Sequence, residues 1–210
     1  MIIAFIGNDG SGKTTVARKV ETRLRDSGFE VKYFPSFNHG LLEYVLRMLP
    51  GKELKKTRAN FLDKGSSNRV SPIFKIWPYI VFVDCLFMYV KFKILNRHSV
   101  IILDRYFYDF LIGFEYLGFS SSVVHELFVF GSPRPNIGFV MDVDPQVAYE
   151  RKKETHDTGL VYYVMQRKRY VKLAHCLGLQ IINTEGSVMK STEQAMAQIN
   201  NHLIFKECEV

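Results

Sequence analysis

The stretch GNDGSGKTT, residues 7–15, carries residue types that together can hold a triphosphate. The spacing G-x-x-x-x-G-K-T runs from Gly7 to Thr14 and fits the strand, loop and helix motif that binds phosphate. Glycines allow φ values that other residues disfavour, so successive backbone N–H groups can converge on phosphate oxygens. Lys13 supplies a point charge for the β- and γ-phosphates, and the Thr14 hydroxyl can coordinate Mg²⁺.

The flanking sequence decides whether this stretch is a phosphate loop or only a glycine-rich turn between a strand and a helix. The apolar run IIAFI precedes it, and VARKVETRLRD follows it with Val16, Val20 and Leu24 on one helical face. The strand and the helix that the motif requires are therefore both predicted, which favours the phosphate loop.

A second group of candidate residues lies in VIILDRYFYD, where an apolar strand ends in Asp104 and Arg105 follows. A carboxylate at the carboxyl end of a buried strand can lie beside the phosphate loop and orient Mg²⁺ or its waters. An adjacent Arg can pair bidentately with a phosphate under attack. The alternative is an Asp-Arg pair that caps the next helix, and the phosphate loop favours the functional interpretation.

A third group lies in DPQVAYERKKETHDTG, where Arg151, Lys152 and Lys153 come near the predicted end of a helix. Phosphoryl transfer needs positive charge over the migrating group and a lid that excludes water. We predict such a lid at about residues 152–161. The alternative, for any one of the three residues, is that its positive charge only stabilises the helix C-terminus through the helix dipole.

The elements that must position these groups alternate along the chain. Apolar runs typical of buried strands are IIAFI, SVIILD, IGFVMDV and LQIIN, and EVKYF is a weaker, edge-like candidate. Helices are predicted between them, one of them with Asp144 as N-cap and Pro145 at its first position. This alternation indicates a parallel sheet covered on both faces, with ligands at the carboxyl ends of its strands.

Length and composition indicate one globular α/β domain over residues 1–210, with 47% hydrophobic and 23% charged residues. The net charge of +7 is compatible with nucleic acid, a membrane surface or polyanionic small substrates. Short basic clusters beside phosphate-handling motifs favour polyanionic small substrates and rank nucleic acid lowest.

Cys85, Cys176 and Cys208 lack metal-ligand spacing, which predicts free thiols in a reducing cytosol. A strand at the N-terminus leaves no room for a signal peptide, so we expect a cytoplasmic protein.

Two further segments affect the organisation. Residues 51–72 are polar, basic and poorly periodic, which predicts a mobile surface connection. The stretch IWPYIVFVDCLFMYV, residues 76–90, is the most hydrophobic of the chain, but Asp84 interrupts it and Lys75 and Lys91 bracket it too closely for a membrane span. We therefore predict a buried or partner-facing helix.

Taken together, these motifs resemble the thymidylate kinase family. GNDGSGKTT looks like that family's phosphate loop, with an acidic residue before the second glycine, and DRY is similar to its Asp-Arg signature. DVDPQVAYERKK and QRKRYVKLAHCLGLQIINTEGS resemble its strand, lid, helix and final strand with the adenine loop, and YFPSFNHG resembles its second strand and acceptor loop. The resemblance covers nearly the whole chain. It implies a P-loop NTPase fold, a three-layer α/β/α sandwich with a five-stranded parallel sheet, and transfer of the ATP γ-phosphoryl group to dTMP with Mg²⁺.

The resemblance also implies residue roles. Those implied in catalysis are Asp9, Lys13, Asp104, Arg105, Arg151 and Lys153. Those implied to bind the donor nucleotide are Gly7, Asn8, Asp9, Gly10, Ser11, Gly12, Lys13, Thr14, Thr15, Thr184, Glu185 and Gly186. The metal ligands it implies are Thr14 and Asp104.

The chain departs from the family pattern at several places, among them the acceptor loop after Pro35, which lacks the usual acidic or Arg residue, and the lid, which is short of arginines. Gly10 stands where some members carry a catalytic Arg, so the lid must supply that charge here. Cys85 stands where the family often has an Arg that grips the acceptor phosphate, and Phe114 or a neighbour replaces a Gln that reads thymine. These departures keep two alternatives open. One is a kinase for another small acceptor, which could be a nucleoside, another nucleotide or a sugar phosphate, and the other is a regulatory protein that binds ATP without transferring phosphate.

The apolar helix also predicts assembly. Its apolar residues lie on every side, more than one face of a small sheet can cover. A two-fold pairing buries both copies of such a helix at once, and thymidylate kinases commonly pair through the equivalent helix. We therefore expect a homodimer in which Phe87, Val90 and Ile94 contribute to the contact, while Asp84 faces the acceptor site.

Overall fold

Strands and helices alternate along the chain in the computed structural model, which describes residues 1–35, 72–116, 118, 121–153 and 159–207. The strands are β1 (Ile2–Gly7), β2 (Val31–Phe34), β3 (Val100–Asp104), β4 (Ile137–Asp142) and β5 (Gln180–Asn183). The helices of the described residues are α1 (Lys13–Asp26), α2 (Pro72–Leu95), α3 (Phe107–Tyr116), α4 (Ser122–Phe130), α5 (Pro145–Lys152), α6 (Leu160–Leu177) and α7 (Val188–Glu207).

The strands form one parallel sheet in the order β2-β3-β1-β4-β5, which confirms the predicted five-stranded α/β fold. The central strand β1 is the one that leads into the predicted phosphate loop. Its neighbour β3 pairs with it in a register that sets Phe5 opposite Asp104. The phosphate loop and Asp104 therefore lie at the same edge of the sheet, where parallel strands end.

One face of the sheet packs against α1 and α7. The predicted stripe of Val16, Val20 and Leu24 is fully buried, and it packs in one core with Ile3 and Phe5 of β1. Each such apolar side chain stabilises the fold by about 1.5–3 kcal/mol when it leaves water. The residues that α7 adds to this core are Ala195 and Ile199.

The other face of β1 is buried as well, through Ile2, Ala4 and Ile6. Helix α6 contacts β4, β1 and β5. Because β1 has no solvent-facing side, it reads as a continuous apolar run rather than an alternating one, as parallel strands covered on both faces do.

The short helix α5 begins as its sequence predicts. Pro145 is its first residue, and the Asp144 carboxylate oxygen Oδ1 accepts a hydrogen bond from the Gln146 N–H at 2.8 Å. This capping satisfies a backbone donor that the first helical turn leaves without a partner. The helix ends at Lys152, so Arg151 and Lys152 occupy its last turn and Lys153 follows directly, near the helix end as predicted.

The described residues divide into two compact units. One unit consists of the described residues within Met1–Ser36, Leu95–Tyr106 and Arg134–Val210, and it contains the sheet. The other unit consists of the described residues within Phe37–Ile94 and Phe107–Pro133. It is built on aromatic contacts, in which the Phe82 ring lies 5.2 Å from the Phe128 ring and 5.7 Å from the Phe107 ring. The expectation of a single domain over residues 1–210 stays a prediction.

Several sequence predictions fall outside the described residues. They are the connection up to residue 71, lid residues 154–158, acceptor-loop residues 36–40 and Cys208. The last residue of the predicted connection, Pro72, is the first residue of α2. Within the part of the chain that the structure describes, none of the helices combines the length and the apolarity that crossing a membrane requires.

Candidate nucleotide and phosphate site

The loop between β1 and α1 depends on glycine at two close approaches. Gly7 has φ 142° and Gly10 has φ 83°, both in the region that side chains disfavour. A Cβ at Gly7 would lie 2.6 Å from the Met141 carbonyl oxygen, and one at Gly10 would lie 2.6 Å from that of Ala148. The loop is therefore pressed against the end of β4 and against α5, which brings the carboxyl-terminal part of α5 close to it.

The Lys13 ammonium lies over this loop. Its Nζ donates to the carbonyl oxygens of Gly7 at 2.6 Å and Asn8 at 2.7 Å, and lies 3.7 Å from Oδ1 of Asp9. The side chain is buried, so its charge depends on these oxygens in place of water. Incoming phosphate oxygens are the stronger, charged acceptors for the same protons.

The carboxylate of Asp104 receives two hydroxyl groups. Thr14 Oγ1 lies 2.5 Å from Asp104 Oδ2, and the Tyr33 hydroxyl donates to the same oxygen at 2.8 Å. Asp104 is buried at the end of β3. Thr14 and Asp104, predicted together as metal ligands, are thus in direct contact.

Tyr33 is a residue of this site that the sequence reasoning missed. It belongs to the edge strand β2, and its register partner in β3 is Ile102. Burial, together with the hydrogen bond to Asp104, raises the pKa of the Tyr33 phenol above its ordinary value, so the hydroxyl stays a donor at neutral pH. The only sequence signal was a phenol in EVKYF, two positions after the buried Val31.

Arg105 reaches back to the phosphate loop. Its Nη2 lies 2.6 Å from Oδ1 of Asp9, and its backbone N–H donates to the Phe5 carbonyl oxygen at 3.1 Å. Its φ is 120°, the only positive φ at a non-glycine residue among the described residues. The alternative interpretation of an Asp-Arg helix cap does not describe this contact, since the guanidinium pairs with a loop carboxylate.

The basic residues at the end of α5 differ in their surroundings. Arg151 Nη1 donates to the Gly10 carbonyl oxygen at 3.0 Å, which places its guanidinium at the phosphate loop. Lys153 Nζ pairs with Glu150 Oε2 at 2.5 Å, and this hydrogen bond raises the pKa of the exposed Lys153 ammonium. Arg151 is thus at the loop, whereas Lys153, the residue that follows α5, pairs with Glu150 of that helix.

The segment after β5 is fixed to the end of β4. The Thr184 N–H and hydroxyl both donate to the Asp142 carbonyl oxygen, at 2.8 and 2.9 Å. The Asp142 carboxylate receives Arg167 of α6 in a bidentate pair at 2.7 and 2.8 Å, and this hydrogen bonding raises the pKa of Arg167. The Asp144 N–H donates to Glu185 Oε1 at 3.1 Å. Arg167 was not predicted, although it lies within the basic cluster QRKRY.

Some of these groups line a cavity of about 440 Å³, within the range of small-molecule sites. The residues that line it are Asp9, Gly10, Gly12, Lys13, Thr14, Thr15, Val16, Asp104, Arg105, Arg151, Lys152, Thr184, Gly186, Val188 and Ser191. The lining combines the phosphate loop, the end of β3, the end of α5 and the segment after β5. The predicted site residues outside this lining are Gly7, Asn8, Ser11, Lys153 and Glu185.

The oxygen donors at this cavity suit a magnesium ion. Thr14 and Asp104 offer a hydroxyl and a carboxylate, the hard ligands that Mg²⁺ prefers, and Mg²⁺ is usually held by one or two carboxylates together with phosphate and water. The described residues contain no group of three or more His, Cys, Asp or Glu side chains placed to hold a metal. This donor set fits an ion that arrives with a nucleotide better than a fully protein-bound one.

Comparison with curated proteins gives relatives along most of the chain. A probable thymidylate kinase of Methanothermobacter thermautotrophicus is 29% identical over 192 residues, which cover 90% of this chain and 88% of that protein. A probable thymidylate kinase of Sulfurisphaera tokodaii is 22% identical, covering 92% and 93%. The thymidylate kinase of Xylella fastidiosa is 28% identical over 160 residues, covering 75% of this chain and 68% of that protein. No protein-family model matches the sequence.

Among solved structures, deoxyadenosine kinase from M. mycoides with bound dCTP superposes with a TM-score of 0.53 at 17% identity, covering 96% of this chain and all of that one. This likeness shows a shared fold. The parallel sheet, the phosphate loop and the sequence relatives together define a P-loop phosphotransferase. Within that class the chain is similar to thymidylate kinases, which confirms the predicted resemblance and supports a nucleoside monophosphate kinase.

Proposed function

We propose that this protein transfers the γ-phosphoryl group of ATP to dTMP, giving ADP and dTDP. The observation that carries the proposal is one cavity in which Lys13, Arg105 and Arg151 converge around the phosphate loop. Three cations at one loop exceed what binding a single phosphate needs, and they suit a site where charge must be neutralised on both a donor and an acceptor.

In the proposed reaction, an oxygen of the dTMP phosphate bonds to the γ-phosphorus while the bond to the β,γ-bridging oxygen breaks. Such transfer depends mostly on positioning and charge neutralisation, so no Ser, Cys or His nucleophile is required. Lys13 would hold the β- and γ-phosphates, and the backbone N–H groups from Gly10 to Thr15 would hold the same chain of phosphates. Thr184 and Gly186 would lie towards the adenine.

Arg105 would bind the acceptor phosphate. Asp9, which pairs with Arg105 at 2.6 Å, would fix the direction of that guanidinium. Arg151 at the Gly10 carbonyl oxygen would supply positive charge from the lid, and Lys153 would join it after breaking its pair with Glu150. The Arg that some family members carry at the position of Gly10 would thus be replaced in function by Arg151.

Thr14 and Asp104 would hold Mg²⁺ in this site. When bound, the ion neutralises phosphate charge and orients the phosphate oxygens. The contribution of the chain would be the contact between the two ligands, which keeps their oxygens together for the ion.

We also propose that the protein acts as a homodimer through α2. Phe87, Val90 and Ile94 are 54%, 46% and 62% exposed, at helical spacing on one helix. Large apolar side chains that remain this exposed are typical of a surface that another molecule covers. A second copy of the same helix offers a matching apolar surface, because a two-fold contact pairs a patch with itself. The expectation that Asp84 faces the acceptor site stays a prediction.

A coupled assay of ADP release tests the reaction. Purified protein with ATP and Mg²⁺ would be offered dTMP, dUMP, dCMP, AMP, thymidine, deoxyadenosine and ribose 5-phosphate, with Lys13→Ala as the background. We expect dTMP to give the highest kcat/KM. A higher kcat/KM for another acceptor by a factor of about ten, equivalent to about 1.4 kcal/mol in transition-state binding, would replace dTMP as the substrate. ATP binding without any acceptor-dependent turnover would instead favour a regulatory protein.

A nucleoside kinase is the second candidate, and Cys85 is the observation that favours it. Where the family resemblance implies an Arg for the acceptor phosphate, Cys85 is buried, with 2% exposure. Burial raises the pKa of the Cys85 thiol, so the group is neutral and offers no charge to a phosphate. An acceptor without a phosphate would need no such charge. Faster turnover of thymidine or deoxyadenosine than of any monophosphate would establish this candidate.

A further inference from the structure

The carboxylate that ends β3 is held from two sides. Tyr33 donates to Asp104 Oδ2 from the edge strand β2, and Thr14 donates to the same oxygen from the first turn of α1. Neither of these bonds uses Oδ1. Two donors from different elements fix the rotation of the carboxylate about its Cβ–Cγ bond, because turning it would break both bonds.

The Tyr33 ring is itself restrained. Its register partner Ile102 fixes its backbone, and the Arg18 guanidinium carbon lies 3.4 Å from the ring centroid. Arg18 in turn pairs with the buried Glu21 at 2.9 Å, and Glu21 pairs with Arg25 at 2.7 Å. A cation over the face of a tyrosine is favourable. The Tyr33 ring is therefore restrained by Arg18 of α1, and its backbone is restrained by the pairing of β2 with β3.

From this arrangement we infer that Tyr33 is a positioning residue for phosphoryl transfer, which holds Asp104 in the orientation that receives Mg²⁺ together with the nucleotide. The inference rests on the proposed function, because it concerns the metal site of that reaction. The phenol acts through Asp104 rather than on the substrate. Hydrogen-bond partners of a carboxylate ligand orient it and tune its affinity for the metal, and their removal typically costs about 10–100-fold in metal affinity or activity.

The substitution Tyr33→Phe isolates this contribution. It removes only the hydroxyl, and it leaves the ring under Arg18 and the β2 backbone pairing in place. After the change, Thr14 is the donor that remains to Asp104 among the described residues, and the carboxylate gains freedom to rotate. Tyr79→Phe on α2 is the matched control, since it removes an exposed tyrosine hydroxyl outside the cavity lining.

The experiment measures ADP binding by calorimetry, once with Mg²⁺ and once with EDTA. For Tyr33→Phe we expect affinity for ADP with Mg²⁺ to fall by about tenfold, while affinity without metal changes by less than about twofold. The Mg²⁺ concentration for half-maximal turnover should rise by a similar factor. Tyr79→Phe should match the wild type in all three quantities.

Two results would overturn the inference. One is a wild-type Mg²⁺ dependence in Tyr33→Phe, and the other is an equal loss of ADP affinity with and without metal, which marks a merely structural role. Arg18→Met provides a second variant if Tyr33→Phe fails to fold: it keeps the hydroxyl but removes the cation over the ring. Arg18→Met should weaken only the Mg²⁺-dependent affinity for ADP, by about two- to threefold, which is near what a cation–π contact at an exposed site contributes. If this affinity stayed at the wild-type value, the inference would be overturned.

The same data separate this inference from the proposed function. Wild-type protein that binds ADP no better with Mg²⁺, and that transfers no phosphate, would overturn both. Wild-type protein that transfers phosphate with Mg²⁺, beside an unaffected Tyr33→Phe, would overturn only the role of Tyr33.

Discussion

The phosphate-loop cavity and the exposed face of α2 use their side chains in opposite ways. In the cavity, Lys13 and Asp104 are buried ionisable groups that hydrogen-bond to carbonyl and hydroxyl groups of the fold. On α2, Phe87 and Ile94 are apolar groups that remain more than half exposed. A buried charge must find its partners within the fold, whereas an exposed apolar side chain gains from a partner outside it. The candidate site is therefore built on contacts among buried groups, while the exposed apolar face of α2 is the observation behind the proposed second copy.

The largest effect should come from Lys13→Ala. It removes a charge next to the migrating group, so we expect kcat to fall by about 10²–10³-fold while the fold is kept. Turnover and melting temperature should be measured together, with Lys19→Ala on the exposed side of α1 as the control. Near-wild-type turnover in Lys13→Ala would contradict the proposed phosphate site.

A smaller but clear loss is expected for Arg105→Lys. The Lys variant keeps a charge that can still pair with Asp9, but it loses the planar fork that grips a phosphate with two hydrogen bonds. We expect kcat/KM for the acceptor to fall by about 10–100-fold, with little change in KM for ATP. Full activity would instead make Arg105 a structural partner of Asp9.

The two cations assigned to the predicted lid provide the next comparison. Arg151→Ala should lower kcat by about tenfold, because its guanidinium already lies at the loop. Lys153→Ala should lower it by less than about threefold, since its ammonium is exposed and paired with Glu150. Initial rates at saturating ATP measure both. The reverse order would show that the lid rearranges to bring Lys153 to the phosphates.

The double variant Phe87→Glu with Val90→Glu should affect the chemistry least. Placing carboxylates on the exposed face of α2 should convert a dimer to a monomer, because each charge would lose water on association. Light scattering at tens of micromolar checks this, and kcat should stay within about threefold of wild type because the cavity lining is unchanged. Wild-type protein that is already a monomer would refute the dimer. A double variant that stays a dimer would show that another surface forms it.

The parts that could be predicted from the sequence are those determined by local residues. The spacing from Gly7 to Thr14 predicts its own loop, and the pair Asp144-Pro145 predicts the start of α5. Asp104 could be placed because the carboxyl ends of all strands of a parallel sheet lie at one edge, whatever the order of the strands.

The missed residues depend on contacts between distant parts of the chain. Tyr33 reaches Asp104 only because β2 pairs with β3 in a register that sets Tyr33 opposite Ile102, and residues 31–34 do not specify that register. Arg167 is one of several basic residues in QRKRY. Which of them meets Asp142 depends on the rotation of α6 against β4, which the packing of the two elements sets.

The backbone of Arg105 has a consequence for how this protein can change. A side chain held at φ 120° costs about 1–3 kcal/mol of folding free energy, a cost that glycine avoids. Arg105→Gly should therefore melt at a higher temperature than Arg105→Ala, although neither retains a guanidinium for phosphate. Selection for heat resistance alone would then favour glycine here, and selection for turnover would favour arginine. At residue 105, the side chain that favours thermal stability and the side chain that favours phosphoryl transfer are therefore expected to differ.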